Sequence, residues 1–215
     1  MNSSAHDSIR IGHQMILNRF TTIEKMLEIV ETEEMSMSDP SYWEDKNDAH
    51  IMELYRTKKK LKALYALCFT KGSETIYHWG AFSSKSDACC IEIAADNLLD
   101  KYSKKNGFAA RVIEYVKLRD LKTKVIDSNQ IPFIKRHPYR NEDEFRIIFQ
   151  SRRSSKRPTL NIPRAAIKKI TINQYLPKKV FDLIKNNIES KWKIKVNRSS
   201  VIKNDQWVNH MKKLA

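Results

Sequence analysis

Glycine occurs at four of the 215 positions in this sequence, namely Gly12, Gly72, Gly80 and Gly107. Phosphate-binding loops need several closely spaced glycines, because only glycine lets a tight turn bring the backbone so near to a phosphate. The sequence contains no G-x-G-x-x-G, no P-loop and no G-x-S-x-G nucleophile elbow. A dinucleotide site on a Rossmann fold is therefore excluded.

The pattern of apolar residues predicts a mixture of helices and strands without strict β-α-β alternation. Thr21 and Thr22 precede apolar residues at helical spacing and are typical of a helix N-cap. We predict helices at 23–30, 46–62, 73–82, 96–104 and 177–190, and strands at 35–38, 64–70, 88–93, 108–116, 145–150 and 167–172. These elements favour one domain over 1–215 with an α+β fold, in which a mixed, mainly antiparallel sheet has flanking helices.

Three of these predicted helices carry explicit expectations about individual residues. In the second helix, we expect the buried side to carry Ile51, Leu54, Tyr55 and Leu61. In the fourth, we expect Asp96 to be the N-cap. In the last, the expected core residues are Val180, Phe181, Ile184 and Ile188.

Positive charge is concentrated in the second half of the chain. Residues 1–107 hold 14 basic and 16 acidic side chains, whereas residues 108–215 hold 26 and 9, and the formal net charge is +15. A field of this kind attracts an anionic partner such as a nucleic acid, a nucleotide or an acidic protein. General solubility explains the charge equally well, because the lysines are spread over many segments.

The composition also indicates a compartment. The longest apolar run, 63–69, is far shorter than the roughly 20 residues of a membrane span. The first twenty residues have no continuous apolar stretch, so no secretory signal is predicted. Cys68, Cys89 and Cys90 lie in apolar strand-like runs and are expected to be buried, reduced thiols. These features predict a cytoplasmic protein.

Metal-binding patterns are missing from the sequence. There is no C-x-x-C, no H-E-x-x-H and no calcium-binding loop. The histidines are scattered over His6, His13, His50, His78, His137 and His210. We therefore predict no metal site.

Two clusters of polar residues in the first quarter of the chain are candidate sites. Arg19 stands just before the first predicted helix and is either a substrate-binding cation or an ordinary surface residue. The segment 39–48 brings Trp43 and Asp45 together with a turn proline and further acidic residues. Its Asp and Asn residues either cap helices or contribute, with Trp43, to a substrate site.

Two further clusters are candidates for ring binding and for catalysis. Tyr77, His78 and Trp79 follow a predicted strand, and Tyr77 or Trp79 either stacks on a planar ring or packs in the core. Glu144 and Arg146 are two residues apart on a predicted strand and therefore share one face. They form either a simple ion pair or a site in which Arg146 holds Glu144 ionised.

In their order along the chain, these clusters resemble a bacterial family known as domain of unknown function 2971. The resemblance is carried by 19–21 (Arg-Phe-Thr), 40–45 (Pro-Ser-Tyr-Trp-Glu-Asp), 68–70 (Cys-Phe-Thr) with Trp79, 88–92 (Ala-Cys-Cys-Ile-Glu) and 144–146 (Glu-Phe-Arg). It spans about residues 15–207. Phe145 stands where the family has tryptophan, and Ala88 stands where it usually has glycine.

A second resemblance, to ADP-ribosyltransferases, lies in the order of a basic residue, aromatic residues and a glutamate. It implies that NAD is a substrate and that Glu144 stabilises the oxocarbenium-like transition state. It also implies that Tyr77 or Trp79 stacks on the nicotinamide and that Arg19 anchors the dinucleotide. This similarity concerns the level of the fold, and fold alone does not define function.

Three hypotheses follow for a bacterial or phage-borne protein. The first is an enzyme of a defence or toxin system that cleaves NAD or transfers its ADP-ribosyl group, with Glu144 catalytic and Arg19, Trp43, Asp45, Tyr77, Trp79 and Arg146 binding substrate. The second is a non-catalytic module that binds nucleic acid through Arg152, Arg153, Lys156, Arg157, Lys168 and Lys169. The third is an interaction protein of a defence system, bound to an acidic partner.

Overall fold

The computed structural model of the protein describes residues 14–82 and 86–214, so His6 and His13 lie outside the described residues. Its helices are α1 (Ile23–Thr32), α2 (Lys46–Lys59), α3 (Ile76–Phe82), α4 (Asp96–Ser103), α5 (Lys178–Trp192) and α6 (Asp205–Leu214). Its strands are β1 (Ile16–Thr22), β2 (Glu34–Ser36), β3 (Ala63–Thr70), β4 (Ala88–Ala94), β5 (Phe108–Val112), β6 (Glu114–Val116), β7 (Ile134–Arg136), β8 (Glu144–Ser151), β9 (Thr159–Asn161), β10 (Ile167–Ile172) and β11 (Lys195–Arg198).

The main sheet contains seven strands in the order β11-β10-β4-β1-β3-β8-β5. Its neighbouring strands are antiparallel, except that β10 and β11 pair in parallel. Two small sheets, β2-β9 and the parallel pair β6-β7, lie outside it. The predicted α+β class with a mainly antiparallel sheet and flanking helices is confirmed.

Strands β1 and β3 are neighbours but pair at one position only, Asn18 opposite Thr70. Beyond that point Ser38 forms an isolated bridge with Ala66, exchanging backbone hydrogen bonds of 2.8 Å in both directions. The Arg19 guanidinium donates a 2.7 Å hydrogen bond to the backbone carbonyl of Cys68 on β3. A side chain thus satisfies a carbonyl that a regular β1–β3 ladder would have paired.

The main hydrophobic core lies on one face of the central sheet. Leu67 and Phe69 of β3 and Ile147 of β8 point into it, and α1, α4 and α5 cover it. The alternate residues of β3 and β8 point to the opposite face, where Met52 and Tyr55 of α2 pack against them. This second face carries the polar cluster described below.

Several residue-level expectations were wrong. Ile51 and Leu54 are 36% and 51% exposed, whereas the buried face of α2 carries Asp48, Met52 and Tyr55 at positions i, i+4 and i+7.

One helix terminus and one core position also differ from the expectations. Asp96 is the first residue of α4 rather than its N-cap, which is Ala95, and its carboxylate accepts a hydrogen bond from the Met15 N–H at 3.2 Å. Val180 is 41% exposed, because it lies on the outer side of α5, while Phe181 and Ile188 are buried as expected. The N-cap at Thr22 is confirmed, since its side chain accepts a hydrogen bond from the Lys25 N–H.

The cysteines are free thiols: Cys89 and Cys90 are buried and Cys68 is half-buried. Burial raises the pKa of all three. Within 14–82 and 86–214, no helix is long and apolar enough to cross a membrane.

Candidate functional site

Glu144 and Arg146 form a buried ion pair at the start of β8. Their side chains share the face of β8 opposite Phe145 and Ile147, as the alternation of a strand requires. Arg146 Nε lies 2.6 Å from Glu144 Oε1, and Arg146 Nη2 lies 3.1 Å from Glu144 Oε2. Glu144 is 3% exposed and Arg146 1% exposed. Each of the two charges therefore depends on the other for neutralisation, because water does not reach the pair.

Arg146 also binds Asp48 and lies against an indole ring. Its Nη1 and Nη2 atoms lie 3.1 and 2.6 Å from the two carboxylate oxygens of Asp48. Nη1 additionally donates to the carbonyl of Pro132 at 2.9 Å. The guanidinium carbon lies 4.8 Å from the centre of the Trp43 ring, a cation–π contact. Trp43 thus contacts the site through Arg146.

Lys135 on β7 joins four carboxylates. Its Nζ atom lies 2.6 Å from Glu142, 3.5 Å from Glu144, 3.6 Å from Asp48 and 3.9 Å from Asp45. We call Asp45, Asp48, Glu142, Glu144, Lys135 and Arg146 the ionic cluster. It contains four carboxylates and two cations, so its formal charge is negative when all groups are ionised.

The pKa values of the two glutamates of the cluster are shifted in opposite directions. Burial raises the pKa of Glu142 to about 7, because Lys135 only partly offsets the loss of solvation. Burial also acts to raise the pKa of Glu144, but the charges of Arg146 and Lys135 outweigh it and hold that pKa well below the ordinary value. Glu142 can therefore carry a proton near neutral pH while Glu144 stays ionised. Two carboxyl groups separated in this way can act as acid and anion in one reaction.

An apolar cavity of about 250 Å³ lies beside the cluster. Asp45, Asp48 and Lys135 contribute its charged groups, together with Arg136. The apolar lining is Ile51, Leu54, Val116, Leu121, Ile126, Ile131 and Ile134. The exposed positions of Ile51 and Leu54 on α2 thus form a wall of this cavity. Apolar walls with a few convergent polar groups are typical of a small-molecule site.

Trp79 and Arg19 make contacts away from the cavity. Trp79 is 4% exposed, packs edge-on against Phe20 and donates its indole N–H to Glu74 at 2.8 Å. Arg19 is half-buried in the gap between β1 and β3. Neither residue lines the cavity.

Tyr77 and His78 lie on α3, close to the segment that carries Glu142. The charges of Glu142 and Lys135 act on the half-buried Tyr77 hydroxyl, whose pKa is raised mainly by burial. His78 is 2% exposed and lies between the hydroxyls of Thr70 (3.4 Å) and Thr75 (3.1 Å), and burial lowers its pKa.

The six basic residues predicted to bind nucleic acid fall into two separate groups. Arg152, Arg153, Lys156 and Arg157 are exposed in the loop that follows β8. Lys168 and Lys169 lie on β10, and Lys169 pairs with Glu92 of β4 at 2.9 Å. Strands β8 and β10 are four spacings apart in the sheet, which is roughly 19 Å. The six residues therefore form two groups on the surface rather than one cluster, and their role in binding nucleic acid stays a prediction.

Sequence reasoning did not single out four residues of the site. Asp48 belongs to the segment 39–48, whose acidic residues the sequence leaves open between helix caps and site residues, although its spacing from Met52 and Tyr55 places it on the buried helix face. Lys135 and Glu142 gave no local signal, because their pairing depends on the contact of β6 and β7 with the segment 137–142, which precedes β8. Tyr115 was also missed: its hydroxyl accepts a hydrogen bond of 2.8 Å from the Glu144 N–H.

In the described part of the chain, no group of three or more His, Cys, Asp or Glu side chains is arranged to hold a metal ion. Each carboxylate of the ionic cluster instead faces Lys135 or Arg146. The site can therefore bind or stabilise a cation through its negative charge, or move a proton at Glu142.

Comparison with known proteins gives weak similarities. No protein-family model matches the sequence. No curated protein matches it either. The resemblance to domain of unknown function 2971 therefore stays a prediction.

Three solved structures of one protein are similar to the chain. Thermus sp. 2.9 DarT in complex with NAD+ has a TM-score of 0.42 at 9% identity, over 88% of this chain and 98% of that one. The complex with ADP-ribosylated ssDNA has a TM-score of 0.42 at 10% identity, over 86% and 94%. The complex with carba-NAD+ has a TM-score of 0.40 at 11% identity, over 87% and 95%. Similarities of this size do not assign a function to the chain.

Proposed function

We propose that the protein is an enzyme that breaks the N-glycosidic bond of NAD and releases nicotinamide, or transfers the remaining ADP-ribosyl group to an acceptor. The observation that carries the proposal is geometric: the buried Glu144 carboxylate lies 2.6 Å from Arg146 and shares Lys135 with Glu142, inside a cluster of negative formal charge. Three members of that cluster, Asp45, Asp48 and Lys135, line an apolar cavity.

The charge of the cluster suits this reaction. The nicotinamide ring of NAD is planar and positively charged, and positive charge moves onto the ribose when the bond to ribose C1′ breaks. A transition state of this oxocarbenium type is stabilised by a fixed carboxylate. In the proposal, Glu144 supplies that carboxylate, and Arg146 keeps it ionised and in place. The apolar wall of the cavity accommodates one end of the dinucleotide, since 250 Å³ is smaller than sites for drug-sized ligands.

Access to Glu144 involves Lys135. In the structure the ammonium of Lys135 contacts Glu144 and also lines the cavity. Substrate binding is proposed to draw this ammonium away from Glu144, after which the carboxylate faces the ribose. Arg19 is proposed to anchor the dinucleotide and Tyr77 to contact its ring.

The first test is calorimetric titration of the wild-type protein with NAD, followed by an assay of nicotinamide release. We expect binding and turnover in the wild type, and a loss of turnover with retained binding in Glu144→Gln. Removal of one group that stabilises transition-state charge typically costs about 10²–10³-fold in rate. Absence of binding and of turnover at millimolar NAD would overturn the proposal.

Asp143→Asn is the matched control. Asp143 lies between Glu142 and Glu144, its side chain is 46% exposed, and it pairs with Lys71 at 3.2 Å. Asn accepts the left-handed backbone of this position (φ 42°) as readily as Asp does. The control should keep wild-type turnover, and an equal loss in both variants would contradict a specific role for Glu144.

A further inference from the structure

A second candidate site lies at the other end of β8. The loop after this strand lies within a stretch, 145–181, that contains no Asp or Glu and ten Lys or Arg residues, one of which is Arg146. Strand β8 is eight residues long, so its two ends are about 24 Å apart. This site is therefore separate from the ionic cluster.

An open groove of about 540 Å³ is formed where the end of β8 meets the residues before β5. Its lining is Asn106, Gly107, Phe149, Gln150, Ser151, Arg152 and Arg153, so it includes two exposed arginines and, within the described part of the chain, no carboxylate. Lys105 precedes this lining in the chain, and its ammonium lies 5.3 Å from the centre of the Phe108 ring. The groove therefore offers an anion the positive charge of Arg152 and Arg153, and Lys105 lies next to its lining in the chain.

An aromatic ring belongs to the same groove. Phe149 is half-buried, and its ring lies 5.0 Å from that of Phe108, which in turn lies 5.1 Å from Tyr102. The tilted contact with Phe108, at 56° between the ring planes, orients Phe149. Single-stranded nucleic acids are bound by this combination of cationic groove and aromatic rings, because every unpaired base can stack on a ring.

The backbone beside Phe149 is shaped by glycine. Gly107 has a φ of +83°, and an added Cβ would lie 3.0 Å from the Phe149 ring and 3.0 Å from the Gln150 carbonyl. A side chain at 107 would thus press on the ring and on the strand end. The absence of a side chain at this position lets the backbone lie close to the Phe149 ring.

We propose that this groove binds a single-stranded nucleic acid, with a base stacked on Phe149 and neighbouring phosphates paired with Arg152 and Arg153. The proposal does not depend on cleavage of NAD. Unpaired bases are required because bases within a duplex are already stacked on one another and present no free face.

The test uses fluorescence anisotropy with labelled DNA and RNA single strands of about 15 nucleotides, which exceed one such site. Binding to each single strand should weaken as the salt concentration rises. Comparison of the DNA and RNA affinities identifies the preferred sugar. The double variant Arg152→Gln/Arg153→Gln should reduce the magnitude of the slope of log affinity against log salt by about 1.4, since each phosphate contact contributes about 0.7 on single strands.

Phe149→Leu tests the stacked base. It should weaken binding by about 5- to 100-fold at fixed salt and leave the salt slope unchanged. Tyr175→Leu, an exposed aromatic residue outside the groove, is its control, and Lys212→Gln/Lys213→Gln on α6 controls for loss of charge. Circular dichroism checks that each variant is folded. Because the arginines are exposed, their double variant decides the outcome should Phe149→Leu not fold.

Three results would overturn the proposal. The first is a lack of salt-dependent binding to both single strands. The second is an equal reduction of the salt slope by the arginine and the lysine double variants. The third is tighter binding to duplex DNA than to single strands, together with unchanged affinity in Phe149→Leu. None of these results bears on NAD turnover, which is measured separately.

Discussion

Arg146 Nη2 lies 2.6 Å from Asp48 Oδ2, although the two residues are 98 positions apart in the sequence. The contact joins β8 of the central sheet to the first turn of α2. Both side chains are nearly inaccessible to water, with exposures of 1% and 3%. Truncating one partner of such a pair leaves the other charge buried and uncompensated.

Asp48→Ala should therefore lower the free energy of unfolding by about 3–5 kcal/mol. The control is Glu53→Ala on the same helix, whose ion pair with Arg56 spans 3.8 Å and is exposed. That substitution should change stability by about 0–1 kcal/mol. Urea denaturation of both variants measures the difference, and similar values for the two would show that Asp48 does not hold Arg146.

Stability should depend on pH through Glu142. The pKa of this carboxyl is raised from 4.5 to about 7, mainly by burial, so the folded protein keeps a proton that the unfolded chain releases in this interval. The free energy of unfolding should thus fall as pH rises from about 4.5 to about 7. Glu144 has a lowered pKa and acts in the opposite sense, since its contribution is lost only as pH falls below about 4.5.

Glu142→Gln removes the carboxyl group that titrates, so the free energy of unfolding should decrease less as pH rises. Denaturation at about pH 5 and about pH 7.5 compares it with the wild type. Glu114→Gln, at an exposed position paired with Lys124, should keep the wild-type pH dependence. If the wild type and Glu142→Gln lose equal stability between the two pH values, Glu142 does not carry the proton.

The sequence predicts those parts of the fold that depend on neighbouring residues. Helix α1 begins after Thr22 and β8 covers the alternating segment, because caps and alternation act over a few residues. The shared face of Glu144 and Arg146 follows from the same alternation. Strand β1 was not predicted, since Asn18 and Arg19 interrupt its apolar pattern. Asn18 donates to the carbonyl of Gly72, just after β3, and Arg19 donates to that of Cys68 on β3.

The parts that could not be predicted depend on strand order. Lys135 reaches Glu142 and Glu144 only because β7 ends beside the start of β8. The apolar cavity likewise needs α2 and the segment around 116–136 to face each other. Such contacts depend on tertiary packing, so the spacing of residues in the sequence does not predict them.

Tyr77 and Trp79 should differ in their effect on NAD binding. Trp79→Phe removes the hydrogen bond to Glu74 inside a small core and should lower stability by about 1 kcal/mol without changing NAD affinity. Tyr77→Leu removes a ring near Glu142 and Lys135 and should weaken NAD binding while leaving stability nearly unchanged. Calorimetric titration with NAD and urea denaturation of each variant separate the two effects. The reverse pattern would assign ring binding to Trp79.

Gly107→Ala and Gly80→Ala should shift stability in opposite directions. At Gly107, alanine must adopt a left-handed backbone, which costs about 1–2 kcal/mol, and its Cβ meets Phe149 and Gln150 at 3.0 Å. Gly80 lies within α3, where an added Cβ meets nothing within 4 Å. Alanine there should stabilise the helix by about 0.5–1 kcal/mol.

Chemical denaturation of the two single variants and of the wild type shows whether each substitution raises or lowers the free energy of unfolding. The Gly80 variant should unfold at a higher urea concentration than the wild type and the Gly107 variant at a lower one, because only the second position combines a positive φ with close neighbours. A stabilised Gly107→Ala would mean that the β5–β8 junction relaxes around the new side chain. In that event Phe149 would not be held in the orientation that the groove requires.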